Sequence, residues 1–205
     1  MTPETPASYA TPPAPPEPWR LPAHRRVGVL FLILTEAALF TIFVIAYLFY
    51  IGKSLNPPYP HQVLEFPYFG TVALLASSIT VVIAEKALAR NALGKFHLWL
   101  GITIALGLGF IGYTAKEWYR LIYHDGLIIS TNVFGSTFYS LVGLHASHVL
   151  VGLALLTTCL IAGFRGKLGR EHFPHFEAVS WYWHFVDAIW IIVVTVVYII
   201  SAKPF

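Results

Sequence analysis

Five long apolar segments dominate the chain and predict its architecture. They cover residues 27–51, 67–84, 97–115, 135–163 and 176–201. A helix needs about 20 apolar residues to cross a hydrocarbon layer about 30 Å thick, and the segments lie near that length or exceed it. Barrel strands would instead alternate apolar and polar residues over stretches of about ten. The pattern therefore predicts an all-α integral membrane protein, a bundle of five transmembrane helices.

The first 24 residues differ from the rest because eight of them are proline. Proline fixes φ and removes a backbone hydrogen-bond donor. We therefore expect residues 1–24 to form an extended or disordered cytoplasmic tail, and residues 25–205 to form one transmembrane domain.

The amino-acid composition further limits the class of protein. The 205 residues are 57% hydrophobic and 11% charged, whereas a soluble domain is about 25% charged. These values exclude a soluble globular enzyme. The single cysteine, Cys159, excludes a disulfide framework and an iron–sulfur cluster.

The distribution of basic residues predicts how the chain is oriented across the membrane. With the N-terminus in the cytoplasm and the C-terminus in the periplasm, the cytoplasmic segments hold nine of the 13 Lys and Arg residues and the outer segments hold four. This asymmetry follows the positive-inside rule. It also accounts for the net charge of +3 without a nucleic-acid partner.

An acid lies deep in the first apolar segment. Glu36 has no basic residue near it in sequence, and an acid at the centre of a membrane helix costs about 2.5–3.5 kcal/mol on insertion scales. We expect it to hydrogen-bond another helix and hold the two together. The alternative is a role in a proton pathway or in contact with a lipid.

Further ionisable residues lie in the last two segments. Their helical spacing places two histidines on one face of the fourth helix and three residues on one face of the fifth, and facing helices would bring the histidines towards Glu177 or His184. A di-iron site would require Glu-x-x-His motifs, which the chain lacks. A bis-histidine haem and a metal-free polar network both remain open, and we favour the network. The residues are His145, His148, Glu177, His184 and Asp187.

Charged residues near the segment ends suggest contacts at the membrane surface. Glu117, Trp118 and Arg120 combine charge with an aromatic ring at the end of the third segment, as interfacial belts do, and Glu117 and Arg120 are spaced to pair. Basic residues at the cytoplasmic ends are candidates for lipid headgroup contacts. They are Arg90, Lys95 and Arg165.

Several motifs resemble subunit III of the haem–copper oxidases. The sequence reads GSTF at 135–138, GLHASHV at 143–149, FEA at 176–178 and WYWHFVD at 181–187. Thr35 and Glu36 resemble a Ser-Glu pair of the family, and Glu117 matches a family glutamate. The resemblance covers about residues 27–200. Glu85 and Lys86 stand where the family has paired histidines, and two N-terminal helices of seven-helix members have no counterpart.

The resemblance implies a subunit without a catalytic centre in an enzyme, a proton-pumping cytochrome c oxidase of the bacterial cytoplasmic (inner) membrane. Haem and copper would belong to subunits I and II, and no catalytic or metal-ligating residue is expected in this chain. Its role would be to stabilise subunit I, bind phospholipid and support proton uptake. The alternatives are subunit III of a quinol oxidase or the related protein that accompanies nitric oxide reductase. A free-standing membrane haem or metal protein with two histidine ligands is a more distant alternative.

The topology can be tested by cysteine labelling. We expect cysteines at positions 90 and 165 to be shielded from an impermeant thiol reagent added outside the cell, because both positions carry inward-facing charge. Cysteines at positions 53 and 120 should react. Labelling of positions 90 and 165 from outside would contradict the orientation.

Overall fold

The computed structural model describes residues 24–201, so the predicted N-terminal tail lies almost entirely outside the described residues. Within them the chain is helical and has five helices long and apolar enough to cross a membrane. The prediction of five helices is confirmed. The helices are α1 (His24–Tyr50), α3 (Tyr68–Ala89), α4 (Leu93–Tyr123), α5 (Val133–Phe164) and α6 (Phe173–Val194), and a short helix α2 (Pro60–Val63) lies between the first two.

Several helices extend beyond the apolar segments. Helix α3 continues to Ala89 through Glu85 and Lys86, because alanine-rich sequence favours helix even where charge ends the hydropathy signal. Helices α4 and α5 contain 31 and 32 residues. At 1.5 Å per residue they are about 46–48 Å long, so their ends reach into the headgroup layers.

Local sequence sets where the helices begin and end. Asn132 caps α5 by accepting a hydrogen bond from the backbone N–H of Gly135 at 2.8 Å. Its amide also donates to the backbone oxygens of Asn56 and Pro58, which ties the loop after α1 to the start of α5. After α5 the chain turns at Gly166, whose φ of 67° lies in the left-handed region that glycine adopts without strain. Helix α6 is extended by a π-helical segment, Thr195–Ile200.

Helix α6 is the most deeply packed element, in contact with α1, α3 and α5. Trp183 and Trp190 are both buried, and the Trp183 indole N–H donates to Ser77 Oγ at 2.9 Å. Gly107 of α4 and Gly152 of α5 make room for the Trp183 ring: a Cβ added at either would lie under 3.0 Å from it. Small residues thus allow three helices to approach one large ring, a packing mode common between membrane helices.

Helix α1 lies at the edge of the bundle, with most of its apolar side chains exposed. It packs on α5 and α6 through Phe40 and Tyr47, which are buried, and the Tyr47 hydroxyl bonds Ser201 Oγ at 3.0 Å. Exposed side chains such as Phe31 and Leu34 present a surface suited to lipid.

The close packing at Trp183 predicts that a larger residue at position 152 destabilises the protein. Gly152→Ala would place a methyl group 2.7 Å from the Trp183 ring, and overpacking of this kind costs about 1–3 kcal/mol. We expect the detergent-purified protein to aggregate at a lower temperature. The matched control is Gly101→Ala, because a Cβ there meets nothing within 4 Å. Equal aggregation temperatures for the two variants would contradict this account of the core.

Candidate functional site

A hydrogen bond inside the membrane joins the peripheral helix α1 to α5. Glu36 Oε2 lies 2.9 Å from His148 Nε2, and the other ring nitrogen, Nδ1, lies 2.8 Å from the backbone oxygen of Leu144. The prediction that Glu36 bonds another helix is confirmed. Glu177 and His184, the residues expected near His148, instead bond Arg26 of α1 and Ser78 of α3.

The geometry fixes how protons are placed in this pair. A carbonyl oxygen can only accept, so Nδ1 of His148 carries the hydrogen that it donates to Leu144. The hydrogen between Nε2 and Oε2 then lies on one of those two atoms. The pair is either a carboxylic acid beside a neutral imidazole or a carboxylate beside an imidazolium, and its net charge is zero in both. The two helices therefore share one transferable proton.

The Glu36–His148 pair borders a cavity between α1, α5 and α6. The cavity has a volume of about 370 Å³ and its polar lining comes from Glu36, Ser147, His148 and Tyr182. The rest of the lining is apolar and consists of Val29, Leu32, Val151, Leu155, Ala178 and Val179. The ring of Phe40 packs edge-on against His148, with 4.9 Å between the ring centroids. A mostly apolar cavity with a few polar groups in its lining suits an amphipathic ligand.

His145 is fully buried one turn away from His148. Its ring stacks on Trp190 with 5.1 Å between centroids and meets the edge of Phe110. Neither ring nitrogen bonds another described residue. The aromatic rings fix its position, and it does not join the Glu36–His148 pair.

The predicted residues of α6 have two different environments. Glu177 pairs with Arg26 of α1 at 3.2 Å, near the end where α6 begins. His184 Nδ1 lies 3.1 Å from Ser78 Oγ of α3, and the same hydroxyl bonds Asp187. One turn before His184, Ser180 donates to Glu85 Oε2 at 2.8 Å. His184 and Asp187 therefore face α3, where sequence reasoning had named no partner.

At the opposite end of the bundle, Glu117 accepts a hydrogen bond from the Tyr198 hydroxyl at 2.9 Å. Arg120 lies 2.6 Å from Glu65 and donates to the backbone oxygen of Val63. The predicted pairing of Glu117 with Arg120 is therefore wrong. Trp118, expected at the interface, is partly buried and meets the edge of Tyr139 at 5.2 Å between centroids.

The three candidate headgroup contacts share one end of the bundle. Arg90 follows α3, Lys95 lies in the first turn of α4 and Arg165 follows α5, and all three are exposed. Among residues 24–201, no three His, Cys, Asp or Glu side chains are grouped so that they could hold a metal ion.

Sequence reasoning missed Glu85, Ser78 and Arg26 as members of polar contacts. Ser78 and Glu85 are seven residues apart and so lie on one face of α3, which is the signal that could have identified them. In the sequence, Arg26 is only one of the nine basic residues of the cytoplasmic segments. Its partner Glu177 is 151 residues away in sequence, and no local pattern predicts that contact.

Comparisons with known proteins place this arrangement in a family. The family model described as cytochrome c oxidase subunit III matches residues 23–202. The chain is 34% identical over 192 residues to the cytochrome c oxidase subunit 3 of Bacillus subtilis (strain 168), which covers 92% of this chain and 93% of the relative.

A relative from an animal shows the same similarity. The cytochrome c oxidase subunit 3 of Oryctolagus cuniculus is 33% identical over 184 residues, covering 84% of this chain and 68% of the relative. The protein of that name from Bacillus sp. (strain PS3) is 34% identical over 180 residues, covering 87% of this chain and 86% of the relative. The resemblance inferred from the motifs is confirmed, and the chain belongs to the cytochrome c oxidase subunit III family of the haem–copper oxidases.

Proposed function

We propose that this chain is the subunit without a redox centre in a respiratory oxidase of the bacterial cytoplasmic membrane. It assembles with subunits I and II, which hold the haem and copper, and its N-terminus lies in the cytoplasm. Within the complex it stabilises subunit I, binds phospholipid and supports proton uptake. The observation that carries the proposal beyond family membership is the Glu36–His148 pair beside a mostly apolar cavity.

The cavity supports the lipid-binding part of the proposal. Six of its ten lining residues are apolar and come from three helices, so an acyl chain can contact all three at once. Burying apolar ligand surface there is favourable in proportion to area. The exposed Arg90, Lys95 and Arg165 lie near the inner leaflet in the proposed topology, where basic residues attract anionic headgroups.

The shared proton supports the role in proton uptake. The pair stays neutral whichever partner carries the proton, so a proton can move between α1 and α5 without creating net charge in a region of low dielectric constant. Creating isolated charge there would be expensive. Helix α1 has few buried side chains, so the pair is one of few contacts that hold it to the bundle.

Removal of the chain tests the subunit assignment. We expect oxidase purified without this subunit to keep its haem and copper content and its initial rate, because the proposal places the haem and copper ligands in subunits I and II. It should inactivate after fewer turnovers, because subunit I loses its support. The measurements are metal analysis, optical spectra and oxygen consumption followed until activity stops. Loss of a stoichiometric haem or metal on removal would contradict the proposal.

Substitution of Glu36 separates the two roles of the pair. Glu36→Gln keeps a hydrogen-bonding side chain but removes the transferable proton. If the pair serves proton uptake, the variant should assemble normally and inactivate after fewer turnovers than the parent enzyme. If the pair serves only to hold helices together, Glu36→Gln should keep the turnover lifetime while Glu36→Ala loosens the subunit.

Two controls accompany this experiment. Glu177→Gln changes an acid that pairs with Arg26 at the helix end and should leave the turnover lifetime unchanged. Thr35→Val removes a hydroxyl whose one hydrogen bond among residues 24–201 is donated to the Leu32 backbone oxygen of its own helix. A normal turnover lifetime together with normal retention of the subunit in both Glu36 variants would refute both roles.

A further inference from the structure

A second cavity lies at the end of the bundle opposite Arg90, Lys95 and Arg165. Its volume is about 350 Å³, and its lining comes from α4 and from the segment between α2 and α3. Every lining residue has a hydrogen-bonding side chain, in contrast to the mostly apolar cavity between α1, α5 and α6. We call it the outer cavity, and its lining residues are Glu65, Tyr113, Lys116, Glu117 and Arg120.

The outer cavity contains charges of both signs that are only partly paired. Arg120 lies 2.6 Å from Glu65, and Glu117 accepts a hydrogen bond from the Tyr198 hydroxyl. Lys116 is exposed and forms no salt bridge with an acid among residues 24–201. Two basic and two acidic side chains thus line one volume. A ligand that carries both an anionic and a cationic group complements it better than an ion of one sign.

The position of Lys116 along α4 places the outer cavity at the membrane surface. Lys116 lies seven residues before the last residue of α4, Tyr123, which is about 10 Å along the helix axis. Helix α4 exceeds the thickness of the hydrocarbon layer by about 16 Å, or roughly 8 Å at each end. Lys116 is therefore close to the boundary between hydrocarbon and headgroups, and its flexible side chain can reach the headgroup layer.

Apolar surface continues from the outer cavity towards the middle of the membrane. The Phe69 ring of α3 lies 6.0 Å from the Tyr113 ring, measured between centroids, and Phe69 is 61% exposed. Val72, one turn further into the membrane along α3, is 66% exposed. An acyl chain can contact these side chains while its headgroup occupies the cavity. A phospholipid supplies both parts, whereas a soluble zwitterion supplies only one.

We propose that the outer cavity binds the headgroup of a zwitterionic phospholipid with a primary amine, of the phosphatidylethanolamine class. Lys116 would bind the phosphate, and the Tyr113 hydroxyl would be a second donor to it. Glu65 would accept hydrogen bonds from the ammonium group, since a carboxylate paired with Arg120 can still accept further bonds. The site is separate from the cavity between α1, α5 and α6, to which the proposed function assigns phospholipid.

Hydrogen bonding and charge determine which headgroup is preferred. A primary ammonium group has three N–H donors, whereas the trimethylammonium group of phosphatidylcholine has none. Hydrogen bonds between ionised groups are about twice as strong as neutral ones. Phosphatidylglycerol carries the negative phosphate without a cation, so Glu65 and Glu117 would repel it. The outer cavity should therefore prefer the ethanolamine headgroup over both alternatives.

Site-specific photocrosslinking in the assembled oxidase tests the proposal. A benzophenone amino acid replaces Phe69, in vesicles of equal parts phosphatidylethanolamine, phosphatidylcholine and phosphatidylglycerol with identical acyl chains. Among the lipid adducts, we expect at least a tenfold excess of phosphatidylethanolamine over each other lipid, measured by mass spectrometry. The control position is Leu98, near the other end of α4 and 60% exposed, where no excess of phosphatidylethanolamine is expected.

Two variants, each carrying the crosslinker at position 69, test the assigned contacts. Lys116→Met removes the cation and should reduce the phosphatidylethanolamine share of the adducts to its share in the vesicle. Glu65→Gln removes the acidic charge and should raise phosphatidylglycerol adducts at the expense of phosphatidylethanolamine. Lys95→Met, at the opposite end of α4, is the matched control and should leave the excess unchanged.

Free O-phosphoethanolamine distinguishes a lipid from a soluble ligand. Added at the concentration of the lipid, it should not reduce the excess, because it has no acyl chain to contact Phe69 and Val72. Loss of the excess would assign the cavity to a soluble zwitterion and overturn the proposal.

The remaining outcomes separate this proposal from the proposed function. Adducts at position 69 in the proportions of the vesicle, or an adduct with another subunit there, would overturn the headgroup assignment. Both results would leave the proposed function intact, because it rests on a different cavity. Failure of the chain to purify with haem-containing subunits would refute the proposed function alone.

Discussion

The hydrocarbon layer offers no hydrogen-bond partners, and this constraint determines how the polar side chains of the chain are arranged. Glu36 bonds His148, Ser78 bonds His184 and Asp187, and Trp183 bonds Ser77. Each contact joins two helices and fixes the rotation of one against the other. A single interhelical bond in a membrane contributes only about 0.6–2 kcal/mol. Such a bond therefore acts together with side-chain packing to favour one arrangement of the helices over others that would bury similar apolar surface.

Packing around Trp183 also restricts how the helices can be arranged. Gly107 and Gly152 both lie against the ring, so α4 and α5 can approach α6 only in the register that brings these glycines to it. The Trp183 bond to Ser77 fixes α3 at the same level. One large side chain thus sets the position of three neighbouring helices, and α1 is left at the edge of the bundle.

Hydropathy was sufficient to predict the five helices, because apolar length alone decides what spans a bilayer. Helical periodicity also identified His148, His184 and Asp187 as residues directed at other helices. It could not tell which helix each one meets, because periodicity gives a face of one helix and not its neighbour. His148 does meet α6, where the Tyr182 hydroxyl donates to its backbone oxygen, but its ring bonds Glu36 of α1 and not Glu177 or His184. Glu85 was missed because its partner Ser180 is 95 residues away. The sequence motifs indicated the family, which periodicity alone could not do.

The two polar sites occupy different sides of α6 and differ in chemistry. On the side of α1 and α5, the Glu36–His148 pair satisfies itself and borders an apolar cavity. On the side of α3, a buried acceptor on Asp187 has no partner among residues 24–201. A self-satisfied pair needs no protein beside it, so lipid can cover that side. The two sides of α6 therefore differ: one carries a pair whose hydrogen bonds are internal, beside an apolar cavity. The other carries hydrogen bonds from Ser180 and Ser78 to the acids Glu85 and Asp187.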